Sequence, residues 1–325
     1  MARRRRLMKN AVVMAAGKGT RMHSDLPKVL HKILDEPMAG LIVENLKKAG
    51  AERIVSIVGY GHELVEAALK GTCEFAVQEP QLGTGHAVMQ ARQLEGDKGL
   101  TVVVNGDGPC VRPETYARLY EALETAEMAI MTAVPDYDNK FGRVIRNADG
   151  SVQKIVEYKD CTDEERAVKE TNMGFYAFRN ELLFEGLKEL KNDNAQKEYY
   201  ITDLVEIFIR HGYRVAAVQV EDCMEVQGVN DNLELARASA YLQERINTDL
   251  MKSGVTIMDP RTAYIGPQVT AGHDVIIHPN VYLYGKTEIH DGAVILPGSY
   301  LRDAVIEAGE VVGPNVYSVP SDGQR

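Results

Sequence analysis

Gly17, Lys18, Gly19, Arg21 and Lys28 crowd the loop that follows a short apolar run, in the stretch "AVVMAAGKGTRMHSDLPKVL" from Ala11 to Leu30. Glycines let backbone N–H groups approach an anion closely, and the cationic side chains neutralise it, so the chemistry suggested is phosphate binding. Two common phosphate motifs nearly fit and both fail. Met22 stands where a dinucleotide fingerprint needs its third glycine, and Lys18-Gly19-Thr20 inverts the Gly-Lys-Ser/Thr order of a Walker loop.

Other residues suggest chemistry only through their place in the chain. Asp107 follows the apolar run Leu100 to Val104, where the carboxyl edge of a parallel sheet presents ligands; by itself it reads as a turn residue. Gln78 alone reads as a surface residue, and Glu157 as part of a solvated face. Asn230 alone reads as a helix cap. Cys73, Cys110, Cys161 and Cys223 have no metal-ligand spacing and read as reduced packing thiols, and the eight histidines form no HExxH or paired pattern. No Ser/His/Asp or Cys/His arrangement offers a protein nucleophile.

The elements that must position these residues begin as alternating strand and helix. Ala11 to Met14 is a short strand, and Pro37 is placed as the first residue of an amphipathic helix that stops at Gly50. Strands at Arg53 to Val58, Phe75 to Val77 and Leu100 to Val104 alternate with helices at His62 to Leu69 and from Gly85. This predicts a parallel sheet covered on both faces. After Met128 come strand-like runs at Ala129 to Val134, Arg143 to Arg146, Val152 to Val156 and Gly174 to Phe178, with Asp149-Gly150 as a hairpin turn. Asp203 with Glu206 resembles a capping box, and Gly212 a helix stop. A long helix is predicted from Asn232 to Met251. Then Ile265, Ala271, Ile277, Leu283, Ile289, Ile295 and Leu301 recur six residues apart, and after one five-residue step Ile306 and Val312 continue the series. Val269, Val275 and Val281 repeat on a second offset. This is the periodicity of a parallel β-helix, about three coils long.

The 325 residues carry a net charge of −10, with 45% hydrophobic and 26% charged residues, which places the chain in the globular class and argues against a nucleic-acid partner. No apolar run is long enough to span a bilayer and no secretory signal follows the basic start, so no membrane partner and a cytoplasmic location are expected. Arg3 to Arg6 read as a solvated tail.

The opening stretch resembles the signature of sugar-1-phosphate nucleotidylyltransferases, Leu-Ala-Ala-Gly-x-Gly-Thr-Arg-Met followed by Pro-Lys. Six further blocks, "QEPQLGTGHAV", "GRVIR", "IVEYKDCTDEE", "TNMGFYAF", "NAQKEYYITDL" and "EVQGVNDNLEL", occur in the same order as in the N-acetylglucosamine-1-phosphate uridyltransferase family, the pyrophosphorylase half of the bifunctional bacterial GlmU proteins. The resemblance covers essentially the whole chain. It implies a Rossmann-like, GT-A-like α/β nucleotidyltransferase domain with a mixed central sheet, followed by a short left-handed parallel β-helix. The expected boundaries are a basic tail over 1–9, the transferase domain over 10–230, a linker helix over 231–252, the β-helix over 253–318 and a tail over 319–325.

The resemblance also implies the reaction: UTP and N-acetylglucosamine 1-phosphate give UDP-N-acetylglucosamine and pyrophosphate, with Mg²⁺ as cofactor. Ala15, Ala16 and Gly17 then lie against the uridine, and Gly17, Gly19, Thr20 and Arg21 wrap the triphosphate. Arg21 and Lys28 are the catalytic cations, with Lys28 steadying either the departing pyrophosphate or the sugar phosphate. Gln78 meets the uracil edge beside Gly83 and Thr84. Gly142, Glu157 and Asn172 match residues that hold the sugar, with Tyr199, Tyr200 and Thr202 walling the same pocket. Asp107 and Asn230 match the metal ligands. A homotrimer through the β-helix is implied as well.

Two departures from the family pattern stand at the metal strand, where Tyr-Gly-Asp-Val-Pro-Leu becomes Asn105-Gly106-Asp107-Gly108-Pro109-Cys110. Loss of the tyrosine removes an expected substrate contact, and Gly108 is expected to loosen the backbone, giving lower activity or wider substrate tolerance. The sequence stops at Arg325, short of the coils that carry the family's acetyltransferase residues, so no acetyltransferase activity is expected. The competing readings are an adenylyl- or thymidylyltransferase of the same type, a non-catalytic sugar-nucleotide-binding subunit, and a β-helix acyltransferase, which lacks both coils and a suitable histidine.

Overall fold

A computed structural model describes residues 7–194 and 196–320; Arg3 to Arg6 and residues 321–325 lie outside them. In chain order the elements are β1 (Met8–Met14), a small hairpin of β2 (Lys32–Ile33) and β3 (Glu36–Pro37), α1 (Met38–Lys48), β4 (Arg53–Val58), α2 (His62–Ala68), β5 (Glu74–Val77), α3 (Thr84–Met89), β6 (Gly99–Asn105), α4 (Pro113–Ala122), β7 (Met128–Ala133), β8 (Arg143–Arg146), β9 (Val152–Val156), α5 (Asp163–Arg166), β10 (Thr171–Arg179), α6 (Asn180–Leu187), α7 (Leu204–Arg210), β11 (Val215–Val220) and α8 (Asn232–Lys252). The chain divides into two compact units, one of residues 1–31 and 38–231, the other of residues 32–37 and 232–325.

The first unit is built on a sheet of order β11-β7-β10-β6-β1-β4-β5, extended by β8 and β9. β1 runs parallel to both β4 and β6, whereas β10 runs antiparallel to β6 and β7, so the sheet is mixed. Successive β1 side chains point to opposite faces. Ala11 and Val13 enter a core with α1 and α4 residues such as Ile42 and Leu119, while Val12 enters a second core with Val88, Leu183 and Phe208. Both faces are therefore covered. The chain steps from β1 to β4 and β5 on one side and returns to β6 on the other, so β1 and β6 flank the point where strand order reverses. Their ends, Met14 and Asn105, are paired neighbours. Open α/β sheets leave a ligand crevice at that point.

Four local expectations are corrected. Pro37 is not the first helical residue: it pairs with Lys32 in the small hairpin, and α1 begins at Met38. Asp203 caps nothing, because its own backbone is already helical and its side chain makes no capping bond. The capping box forms instead at Thr162, whose hydroxyl accepts from Glu165 N at 3.2 Å while Glu165 accepts from Thr162 N at 2.9 Å. The strand predicted from Gly174 is longer, Thr171–Arg179, with a register shift between Asn172 and Tyr176 where Gly174 takes φ +78°. β1 also starts at Met8, so Met8 and Lys9 belong to the strand rather than to a tail.

The second unit carries the hexad. Short strands stack in three parallel sheets, with Leu283 over Leu301 and Ile277 over Ile295, forming a short left-handed β-helix. Ile265, Ile277, Leu283, Ile289, Ile295, Leu301 and Ile306 fill its interior, while Ala271 and Val312 are only half-buried. Two amides of α8 satisfy open carbonyls of the first coil: Gln243 Nε2 donates to Ala263 O at 3.0 Å and Asn247 Nδ2 to Pro260 O at 2.8 Å. Asp35, from the hairpin, is buried in the same unit and accepts from Gly285 N at 2.7 Å. All four cysteines are free. Among the described residues no helix is long and apolar enough to cross a membrane.

Candidate active site

Because β1 and β6 end side by side, the loops after them form the floor of a cavity of about 350 Å³. Ala15, Ala16 and Gly17 line one side, Gly106 and Asp107 the next, and Gln78, Gln81, Gly83 and Thr84 the third, with Lys28 among them. Glycine is required sterically at two positions. A Cβ at Gly83 would stand 2.7 Å from Tyr199 O, and one at Gly19, where φ is +67°, only 2.5 Å from Lys28 Cβ. A Cβ at Gly17 would meet nothing, so that glycine borders open space.

Hydrogen bonds fix the polar wall. Gln78 is only 4% exposed, and its Nε2 donates to Gly83 O at 2.9 Å. Its nitrogen is thus engaged within the protein, leaving the amide oxygen as its acceptor. Burial lowers the pKa of neighbouring His86, which favours the neutral ring. Gln81 Nε2 donates to Ala16 O at 2.5 Å and locks the β1 loop in place. Thr84 Oγ1 accepts from Ile201 N at 3.1 Å.

Of the loop's three cations, Arg21 and Lys28 meet at Asn230 and Lys18 turns to Tyr60. Lys18 Nζ sits 5.0 Å from the Tyr60 ring centre. Arg21, in the turn Thr20–Met22, donates to Asn230 Oδ1 at 2.8 Å, and neither Thr20 nor Arg21 lines the cavity. Lys28 Nζ lies 2.5 Å from Asp107 Oδ2 and 3.3 Å from Asn230 Oδ1.

A second cavity of about 240 Å³ shares Thr84, Asn105 and Asp107 with the first. Gly142, Glu157, Asn172, Thr202 and Asn230 line it, so four of the six residues expected at the sugar meet there. Burial pushes the Glu157 carboxyl up, opposed by a 3.3 Å hydrogen bond from the Thr202 hydroxyl. Asn172 is held on both ends, donating to Tyr176 O–H at 2.7 Å and accepting from Gly174 N at 3.2 Å. Tyr199 and Tyr200 line neither cavity. The Tyr199 ring packs towards the core and His86, and the Tyr200 hydroxyl donates to Gln196.

Sequence reasoning did not single out Gln81, Glu198, Lys140, Tyr176 or Gly228. Gln81 and Glu198 stand inside blocks already matched, and only the fold reveals which side chains of a block turn inward. A Cβ at Gly108 would stand 2.5 Å from Phe175 Cζ. The Phe175 ring fills the space a larger side chain would use. Asn105 likewise packs against Gly174, whose missing Cβ it would otherwise strike.

Asp107 Oδ2 and Asn230 Oδ1 converge on the Lys28 ammonium, so a cation already stands where these oxygens stabilise one. Among the described residues no group of three or more His, Cys, Asp or Glu gathers to hold a metal alone. One carboxylate and one amide oxygen fit a hard divalent cation that takes its remaining ligands from phosphate and water.

The family model described as MobA-like NTP transferase domain matches residues 11–219. The bifunctional protein GlmU of Exiguobacterium sp. (strain ATCC BAA-1283 / AT1b) is 45% identical over 311 residues, covering 95% of this chain and 69% of that protein. Those of Geobacillus thermodenitrificans and Streptococcus suis are 44% and 46% identical, covering 91% and 93% of this chain and 65% and 66% of theirs. The chain thus spans about two thirds of the length of these relatives. With a phosphate-type loop at the strand-order reversal and sugar-matched residues in the adjoining cavity, the chain belongs to the GlmU family and is a nucleotidyltransferase.

Proposed function

We propose that the chain transfers the uridylyl group of UTP to N-acetylglucosamine 1-phosphate, giving UDP-N-acetylglucosamine and pyrophosphate, with Mg²⁺ as cofactor. The observation that carries this reading is the convergence of Lys28, Asp107 and Asn230 beside the residues shared by the two cavities. An α-phosphate held there lies between a nucleotide on the Gly17 side and a sugar phosphate on the Glu157 side.

In the proposed step, a phosphate oxygen of the sugar phosphate attacks the α-phosphorus. The bond from that phosphorus to the bridging oxygen breaks, and its electron pair leaves on pyrophosphate. No protein nucleophile is needed, so catalysis rests on positioning and charge neutralisation. Arg21 and Lys28 neutralise phosphate oxygens, while the N–H groups of Gly17, Gly19 and Thr20 cradle the chain. Gln78 offers its amide oxygen to the imide N–H of uracil, against the small wall of Ala15, Ala16, Gly83 and Thr84. Asp107 and Asn230 would hold Mg²⁺, which supplies further charge neutralisation of the phosphates when bound. Glu157, Asn172 and Thr202, with the Gly142 backbone, hold the sugar hydroxyls and acetamido group.

A coupled pyrophosphate-release assay with UTP and N-acetylglucosamine 1-phosphate, with and without Mg²⁺, tests the reading. Mg²⁺-dependent release with UTP is expected. Faster release with ATP or dTTP would overturn the uridine assignment, and no release with any nucleoside triphosphate would overturn the reaction. The reading includes a cytoplasmic setting and a homotrimer formed through the β-helix, the latter checked by light scattering in solution.

A further inference from the structure

Beside the sugar cavity, and separate from the Gly17 loop, lies a cavity of about 600 Å³ bounded by residues 135–143 and the segment around α5. Its inner wall carries Arg143, which is only 6% exposed. A buried guanidinium ordinarily faces a carboxylate. Arg143 instead spends its donors on neutral oxygens: Asn139 Oδ1 at 2.8 Å, Phe141 O at 2.7 Å, Asn139 O at 3.1 Å and Arg166 O at 3.4 Å. Its Cζ stands 5.0 Å from the Tyr158 ring centre, and that of Arg166 stands 5.8 Å from the same ring.

Lys140 and Lys169 complete the lining, so four cations face two carboxylates, Asp136 and Asp138. Among the described residues no ion pair joins Arg143, Lys140 or Lys169 to an acidic group, and Arg166 pairs only with the exposed Asp163. This positive concavity occurs in a chain whose net charge is −10. An excess of one sign of charge on low-dielectric walls concentrates counter-ions of the other.

We propose that this cavity is a second anion site, taking a ligand with two or more linked phosphoryl groups, held by Lys140, Arg166 and Lys169 against the fixed charge of Arg143. Several cations around one concavity suit a polyphosphate better than a single phosphate or carboxylate. Lys140 also lines the sugar cavity, and Gly142 lies between it and Arg143. Occupancy of the second site therefore withdraws Lys140 from the sugar side and inhibits transfer without competing with the nucleotide. This consequence rests on the proposed transferase reading; the binding itself does not.

The sequence contains no tryptophan, so Tyr158→Trp introduces a single fluorescent reporter into the cavity wall. Inorganic tripolyphosphate titrated into Y158W is expected to change its fluorescence saturably, with half-saturation on the order of 0.1 mM at low salt. Adding R166A and K169A is expected to weaken binding at least about tenfold, whereas adding K28A, which disables the nucleotide site, leaves it within about twofold. Calorimetry on the wild-type chain and on R166A/K169A without the reporter repeats the comparison should Y158W fold poorly. A parallel titration with ATP in the K28A background distinguishes the sources: tighter binding of ATP points to a nucleoside polyphosphate, equal or weaker binding to the bare polyphosphate. Absence of binding to the wild-type chain would overturn the proposal, as would binding that K28A abolishes and R166A/K169A leaves unchanged.

Discussion

Lys28 Nζ lies 2.5 Å from Asp107 Oδ2 although 79 positions separate them, and the same ammonium reaches Asn230 Oδ1, 202 positions away, at 3.3 Å. The triad exists because β1 and β6 are parallel neighbours whose carboxyl ends open together, and because Val229 N donates to Asp107 O at 2.8 Å, tying the Asn230 loop to the β6 loop. Removing Asp107 takes away the one carboxylate in this cluster. Asp107→Ala is expected to lower Mg²⁺-dependent turnover by roughly 10²–10³-fold, the range seen when a preorganised charge-stabilising group is deleted. Steady-state pyrophosphate release across a Mg²⁺ titration measures it, and unchanged turnover would remove the metal-ligand assignment.

Asn172 lines the cavity of about 240 Å³ with its amide already oriented, since Tyr176 accepts from its nitrogen and Gly174 N donates to its oxygen. Tyr176→Phe keeps the ring and deletes the hydroxyl acceptor. The lost hydrogen bond is worth about 1 kcal/mol, or roughly fivefold in affinity. The KM for N-acetylglucosamine 1-phosphate should rise by about that factor while the KM for UTP stays unchanged. An equal rise in both would point to a general loss of packing instead.

Gly108 and Phe175 share one volume. A Cβ at position 108 would stand 2.5 Å from Phe175 Cζ, and the ring is fully buried. Gly108→Val therefore overpacks the core and should cost about 1–3 kcal/mol. Combining it with Phe175→Leu should recover part of that loss, because the shorter side chain vacates the space. Urea midpoints of the two single variants and the double variant measure the coupling; additive losses would show that the two residues do not compete for the same space.

Periodic and paired features were legible in the sequence, and geometry that depends on distant partners was not. The hexad from Ile265 to Leu301 reads directly because each coil repeats the same inward position. The Gly17–Gly19 loop reads because glycine and charge stand together after an apolar strand. The capping pattern was misassigned because Asp203…Glu206 and Thr162…Glu165 have the same spacing, and only the backbone at Asp203 distinguishes them. Pro37 misled for a similar reason: the hairpin partner Lys32 that claims it stands five positions earlier and carries no signal of its own. Gln81, Tyr176 and the filled space at Gly108 depend on which face of an element is turned inward. Tyr199 went the other way, matched to the sugar pocket by its block but turned towards the core.

Asp203, placed as a cap in the sequence reading, has a different consequence in the fold. Burial, followed by the nearby charges of Glu206, Glu157 and Asp160, raises its pKa to about 6. The unfolded chain releases the same proton near pH 4. Between those values the folded state binds more protons than the unfolded state, so this contribution to stability falls as pH rises from about 4 to 6 and stays lost at pH 7. Asp203→Asn removes the titration and the repulsion together. Because the carboxyl is partly exposed, solvent screening limits the gain to about 1 kcal/mol at pH 7, vanishing below pH 4. Urea unfolding of both proteins at pH 7 and pH 4 measures it, and a variant no more stable than wild type at pH 7 would show that the ionised carboxylate is not destabilising.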